Sequence, residues 1–383
     1  MSELIQKHDN RATIRWKLLT GASALALTAY VSSSGIARAE DASQPQIWIE
    51  LGGQLSRLDD GQETFAPAFP VPRLSIFSPS QKFEYLPRFS IDETGKISFQ
   101  PEGSDWVVSA SIQYGRSSTN RDVRQGTYPN PAYGTKSGVR ITGASPAFPK
   151  ASRFADTNAQ TSENHFILDF QAGKDVGLGM FGNHRGSSVL SLGVRFAQFS
   201  ARSNVAIKSD PDWHFGYKYF SNGVKFPLFQ TYHTNRANLQ AARSFHGIGP
   251  SLSWSASAPI TGNSQDGEIA IDWSVNAALL FGRQRAKVHH QASAQYHGRK
   301  YNTGSRVVVY HPTPVNLTRS KSVTVPNVGG FAGLSFRYSD AKISLGYRGD
   351  FFFGAMDGGI DTRKSENRGF FGPFASISIG LGD

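Results

Sequence analysis

The chain has 383 residues, a formal charge of +11, 39 glycines, 12% aromatic residues and no cysteine. The lack of Cys excludes a disulfide framework and any thiolate metal or redox site. Hydrophobic residues make up only 39%, and no apolar run of about eighteen residues follows the N-terminal leader, which excludes a helical membrane protein.

Residues 1–39 read as a secretory leader for the Sec pathway. Lys7, Arg11, Arg15 and Lys17 give a basic start, and Leu18 to Val31 is an apolar core too short to span as a helix. Ala37 and Ala39 then supply small residues at the cleavage positions. A buried N-terminal helix is the competing reading.

Beyond the leader, period-2 alternation dominates, the mark of strands with one apolar face. Ile47, Ile49, Leu51 and Leu55 alternate with Trp48, Glu50, Gly52 and Gln54. A Pro-rich stretch, 59–90, reads as irregular, and a weaker strand over Phe89–Phe99 is broken at Glu93-Thr94-Gly95. Trp106, Val108, Ala110, Ile112 and Tyr114 alternate with Ser109, Ser111 and Gln113. Further strands carry Phe166, Leu168 and Phe170; Leu190, Leu192, Val194 and Phe196; Ile248, Leu252 and Trp254; and Ile269 through Phe281. The clearest hairpin spans Asn327–Met356, with a turn at Ser339-Asp340-Ala341-Lys342, and a last strand runs from Phe371 to Leu381.

Short turns are predicted near 93–103, 173–187, 259–267 and 339–342. Long polar loops are predicted over 117–163, 201–243 and 283–326, with a modest one at 355–369. Strands of about nine to eleven residues, with connections that alternate between short and long, predict an all-β, antiparallel transmembrane barrel over 40–383. The expected count is about ten strands, within a range of about eight to twelve, with apolar side chains facing lipid.

Several phrases resemble the Legionella-type major outer-membrane protein family of pore-forming barrels. They are HFILDFQAGKDVGLG (165–179), GVRFAQF (193–199), FHGIGPSLSW (245–254), ISLGYRGDFFFGAMDGG (343–359) and GFFGPFASISIGL (369–381). The resemblance implies an integral outer-membrane barrel with porin-like passage of small hydrophilic solutes or ions, and assembly by the outer-membrane barrel machinery. One departure is the end Gly380-Leu381-Gly382-Asp383, where such barrels generally place an aromatic residue; Phe371 and Phe374 stand upstream.

If the apolar parity faces lipid, the other parity lines the lumen. That puts Glu50, Gln113, His165, Asp169, Gln171, Arg195, Asp272, Asn276, Arg337, Arg348 and Asp350 inside. Two readings stand: ion pairs filling a narrow barrel, or a charged ring that sets selectivity. The segment 283–326 carries Arg283, Arg285, Lys287, Arg299, Lys300, Arg306, Arg319 and Lys321 with no acid. Its charge suits the phosphates of lipopolysaccharide, so a closed structural or adhesive barrel binding that lipid or a host surface is the alternative function. Tyrosines between these cations resemble a nucleic-acid surface, but a secreted membrane barrel argues against that partner.

Other motifs carry little. Gly177-Leu178-Gly179-Met180-Phe181-Gly182 matches the dinucleotide fingerprint but lacks the following helix and acid. His289, His290, His297 and His311 lack a carboxylate partner in their segment, and Asn316-Leu317-Thr318 is a sequon by pattern only. His165 and Asp169 share a face but stand roughly 13 Å apart at strand rise, so no catalytic constellation emerges. Neither an enzyme nor a bound cofactor or metal is expected.

Overall fold

The computed structural model describes residues 46–59, 88–101, 104–126, 154–176, 187–219, 225–263, 267–300, 304–310 and 313–381. The leader and its Ala37 and Ala39 lie outside the described residues. The strands are β1 (Gln46–Asp59), β2 (Arg88–Gln100), β3 (Trp106–Gly126), β4 (Phe154–Asp175), β5 (Ser187–Tyr219) and β6 (Lys225–Asn263). They continue with β7 (Gly267–Lys300), β8 (Gly304–Tyr310), β9 (Val315–Tyr338), β10 (Ala341–Asp357) and β11 (Ser365–Leu381).

Neighbours in sequence pair antiparallel, β6 pairs with β7, and β1 pairs with β11, so the sheet closes on itself. The short β8 extends the β9 edge of β7, pairing over Ala294–Lys300 where β9 pairs over Glu268–His290. Ten strands therefore form the cylinder, in agreement with the predicted antiparallel barrel. At the level of the shorter strands the pairing is continuous around the barrel, which is what a bilayer demands of a β-protein.

Exposure fixes which way the side chains look. Ile271, Leu345 and Ile377 are 37%, 60% and 48% exposed, whereas Arg195 and Asp272 are 3% and 8% exposed. The apolar parity thus faces out. On β7 the outward apolar set runs from Ile269 to Phe281, roughly 40 Å along the strand and roughly 28 Å across at a tilt of about 45°. That is the thickness of a hydrocarbon core. Trp106, Phe336 and Tyr338 mark its turn end, and Phe89, Phe281 and Phe353 its opposite, long end.

The described parts of three predicted loops are mostly strand. Residues 201–219 and 225–243 continue β5 and β6, 283–300 and 315–326 continue β7 and β9, and 117–126 and 154–163 continue β3 and β4. β5, β6 and β7 reach 33, 39 and 34 residues, against 14 and 13 for β1 and β2. One wall therefore rises far above the apolar band while the β10-β11-β1-β2 side stays low. The physical reason is that backbone pairing persists there without outward apolar residues, the signal used to recognise strands. Arg283, Arg285, Lys287, Arg299 and Lys300 accordingly lie on β7 and Arg306 on β8, not on a loop. The weak second strand is also continuous: β2 crosses Glu93-Thr94-Gly95 unbroken and ends at Gln100.

Candidate functional site: the barrel interior

From the turn end upward, the interior begins with charged and polar side chains. Lys342 bridges Asp272 at 2.5 Å, and Ser257 Oγ donates to the same carboxylate at 2.7 Å. Glu50 accepts from Ser378 Oγ at 3.4 Å, and the Arg337 guanidinium lies 5.5 Å from the Trp48 ring centroid. Phe331 and Phe374 then narrow the bore, with centroids 5.4 Å apart. Gly333 and Gly346 make that possible: a Cβ on either would meet the Phe331 ring, at 2.8 and 2.6 Å.

Above this pair, Arg195 gathers residues from four strands. Its Nε and Nη2 donate to Asp169 at 2.7 and 2.9 Å, and Nη1 donates to Asn276 at 2.8 Å and to Asn327. Asp350 lies 3.6 Å from Nη1 and is also held by Arg348 Nε at 3.2 Å. The bidentate fork makes this a strongly directional contact. Of the seven charged positions expected inside, five therefore join one another or a neighbour: Asp169, Arg195 and Asp350 with Arg348, and Asp272 with Lys342. Glu50 and Arg337 sit nearer the turn end.

The next level is dry. Phe199, Phe245, Leu280, Val325, Phe352 and Phe370 point inward from six strands, each fully buried, and Leu58 and Ile167 complete the layer. Phe199 packs against Phe352, Phe370 and Phe245 with centroids 4.7, 5.6 and 5.7 Å apart. The Phe352 contact is edge-to-face, the Phe370 contact tilted and the Phe245 contact stacked, and edge-to-face and offset-stacked pairs are the favourable aromatic geometries. Gly247 is required beside them, because a Cβ there would come within 2.6 Å of Phe245 Cζ. On the β1-β2-β3-β4 side the layer is completed by polar groups gathered around the Asp92 carboxylate. Asp92 accepts from Ser56 (2.5 Å), Ser90 and Gln113 (3.1 Å) and pairs with His165 Nε2 at 3.0 Å. Apolar disc and polar wedge together form a septum across the lumen.

Beyond the septum, Arg368 pairs with Glu163 at 3.0 Å and Glu366 at 3.6 Å, all three buried. The β10–β11 connection then folds into the tall half instead of rising away from it. Gly354 adopts φ 66, a bend that glycine takes without strain, and the pairing of β10 with β11 shifts between Phe352 and Met356. Residues 355–360 are buried. Arg319 clamps this segment through Asp357 (3.0 Å) and the carbonyls of Gly359 (2.8 Å) and Ile360 (2.7 Å), and Arg243 donates to the Gly358 carbonyl at 3.1 Å. His290 meets Asp361 at 2.5 Å. Ile360 sits against Val205, Leu239 and Val288 on the inner face of the tall wall.

Sequence reasoning missed the septum, the Asp92–His165 wedge and the Glu163–Arg368–Glu366 triad. Phe199, Asp92 and His165 lie on or next to recognised strands and were within reach of the inward parity, whereas Glu163, Glu366 and Arg368 fall in stretches read as loop. His289 pairs with Asn316 Oδ1 at 2.6 Å, and among the described residues no cluster of metal-ligating side chains occurs. The Gly177–Gly182 motif lies outside the described residues.

No family model matches the chain, and no curated protein matches it. Solved structures align over most of its length at low identity. The translocator domain of the autotransporter NalP from Neisseria meningitidis is 9% identical, with 95% of this chain and 96% of that one covered and a TM-score of 0.25. The transport unit of the autotransporter AIDA-I from Escherichia coli is 9% identical, covering 94% and 97%, TM-score 0.22. A mutant of the monoaromatic hydrocarbon channel TodX is 9% identical, covering 89% and 91%, TM-score 0.23. The strand pairing and the outward apolar band make the chain an outer-membrane type of β-barrel.

Proposed function

We propose that the protein is an integral barrel of a Gram-negative outer membrane whose lumen is closed at rest. It would be exported through the Sec pathway and inserted by the barrel assembly machinery. The phenylalanine septum carries this reading. Six fully buried apolar side chains from six strands, with the buried Asp92–His165 wedge beside them, support it, because an apolar layer across a lumen is an energetic barrier to ions. The charged level beneath it supports the ion-pair reading of the interior, since Arg195 is fully engaged with Asp169, Asp350 and two asparagines.

Planar-bilayer recording of the refolded protein tests this. The expected result is a silent baseline for the wild type and discrete conductance steps for Phe199→Ser combined with Phe352→Ser. A steady ohmic conductance from the wild type would overturn it.

A second reading, gated porin-like passage of small hydrophilic solutes, is favoured by the charged vestibule that leads up to the septum and by the resemblance to Legionella-type major outer-membrane proteins. In this reading the clamped β10–β11 segment is the gate. Deletion of 358–363 separates the two: a septum of strand residues keeps the deleted barrel silent, whereas a gate formed by the segment lets it conduct. The buried Asp92–His165 pair suggests no catalysis, because both neighbouring hydroxyls donate to the carboxylate and none approaches the imidazole.

A further inference from the structure

The outer surface of β5, β6, β7 and β9 changes chemistry between one row of residues and the next. Strand register sets Phe196, Ile248, Phe281 and Thr324 side by side across the four strands. The outward row directly above is Gln198, His246, Arg283 and Ser322, followed by Ser200, Ser244, Arg285 and Ser320, and then by Arg202, Ala242, Lys287 and Thr318. Rows are about 7 Å apart along the strands. Four cations thus occupy three rows above the last apolar row, and no outward residue in those rows is acidic. Farther up, Lys208 and Arg236 are paired neighbours on the same face.

A groove of about 530 Å³ opens at this boundary, lined by Phe196, Ile248 and Phe281 below and by His246 and Arg283 above, with Gly247 and Gly282 paired between them. Arg283 is held in place by Nε donating to Ser320 Oγ at 2.6 Å, so its guanidinium is ordered at the rim. Apolar walls under a fixed guanidinium, at the level where the barrel leaves the hydrocarbon, fit an amphiphile with a phosphate head and acyl tails.

We propose that this face is a binding site for a phosphorylated acyl lipid of the outer leaflet, the chemistry of lipopolysaccharide. Its acyl chains lie on Phe196, Ile248 and Phe281. Its phosphates lie against Arg283, Arg285 and Lys287, with Arg202 at the flank. The acid-free face supplies the charge complementarity, and the groove supplies a place for one chain end. The assignment depends only on the outer surface and is independent of whether the lumen conducts.

The test uses the full-length protein purified in detergent and titrated with bisphosphoryl lipid A, its dephosphorylated counterpart or inorganic phosphate. Protection of the barrel against thermal unfolding is followed on a heat-modifiability gel. The wild type is expected to be protected by the bisphosphoryl lipid, and the triple variant Arg283→Gln, Arg285→Gln, Lys287→Gln to need at least tenfold more of it. Equal potency toward both proteins, or equal protection by the dephosphorylated lipid, overturns the proposal. Protection by inorganic phosphate at the same concentration makes the face a small-anion site and also overturns it. Phe281→Ala keeps the charges, so it covers a triple variant that fails to fold. It is expected to lower the lipid's potency, and unchanged potency counts against the groove.

Discussion

The band of the barrel below Phe281 and the wall above it are built by the same strands with opposite dress. In the band of β5, Leu190, Leu192, Val194 and Phe196 look outward and Arg195 looks inward. A few residues on, Val205 and Ile207 are buried inside while Arg202, Asn204 and Lys208 face out. β6 and β7 make the same exchange, with Leu239 and Val288 inside and Gln240 and Lys287 outside. The pleat does not change; the solvent does. In the hydrocarbon, outward positions must be apolar, whereas above it the apolar positions move to the interior as in a soluble protein. One strand can thus satisfy two solvents by reversing which parity is greasy.

The sharpest way to break that contrast is to disturb the buried charge in the band. Arg195→Ala leaves Asp169 without its guanidinium and Asp350 with Arg348 alone, and a loss of about 3–5 kcal/mol is expected in a denaturant refolding titration. A loss below about 1 kcal/mol would mean that water reaches the site. Next in size is a charge placed outward. Leu345→Arg, in the band, should cost about 2–4 kcal/mol when folding is measured in lipid vesicles. Asn238→Arg, outward on the tall wall, should stay within about 0.5 kcal/mol. Equal costs would put both positions in one solvent.

Leu239→Ala tests the interior of the wall, where a void beside Ile360 should cost about 2–3 kcal/mol. A neutral result would show that this inner face is already wet. The smallest effect is expected for Arg285→Ala: within about 0.5 kcal/mol in lipid-free detergent, because the side chain is exposed on the outer surface.

The same reversal explains what was legible in the sequence. The band was readable because Ile, Leu, Val and Trp alternate with Ser, Gly and Gln, a contrast large enough to see without a structure. Over 201–208 the alternation persists as Ala201, Ser203, Val205 and Ile207 against Arg202, Asn204, Ala206 and Lys208. Its apolar members are small or few and stand on the other parity, so the stretch reads as a polar loop. Phe352 follows Asp350 on the inward parity of β10, where a charged lumen was anticipated, and an aromatic at that position was the visible clue to the septum. The inward course of 355–360 has a weaker signal, because the bend at Gly354 looks in sequence like any loop glycine. His165 and Asp169 were on one face as expected, but the true partner of His165 is Asp92, two strands away in the sheet and beyond the reach of local spacing.

The seam between β1 and β11 sets Ile47 opposite Leu381 and Asp59 opposite Gly369. Contacts that join residues so distant in the chain come with a large ring-closure cost and cannot form until the final hairpin has been delivered. Until then the two outermost strands are bare templates in a medium that offers them no water. Sealing of the tube is therefore a late, all-or-nothing event, and a lesion anywhere along that zipper, Gly372→Val for example, should stall insertion of the entire polypeptide instead of loosening one corner of it.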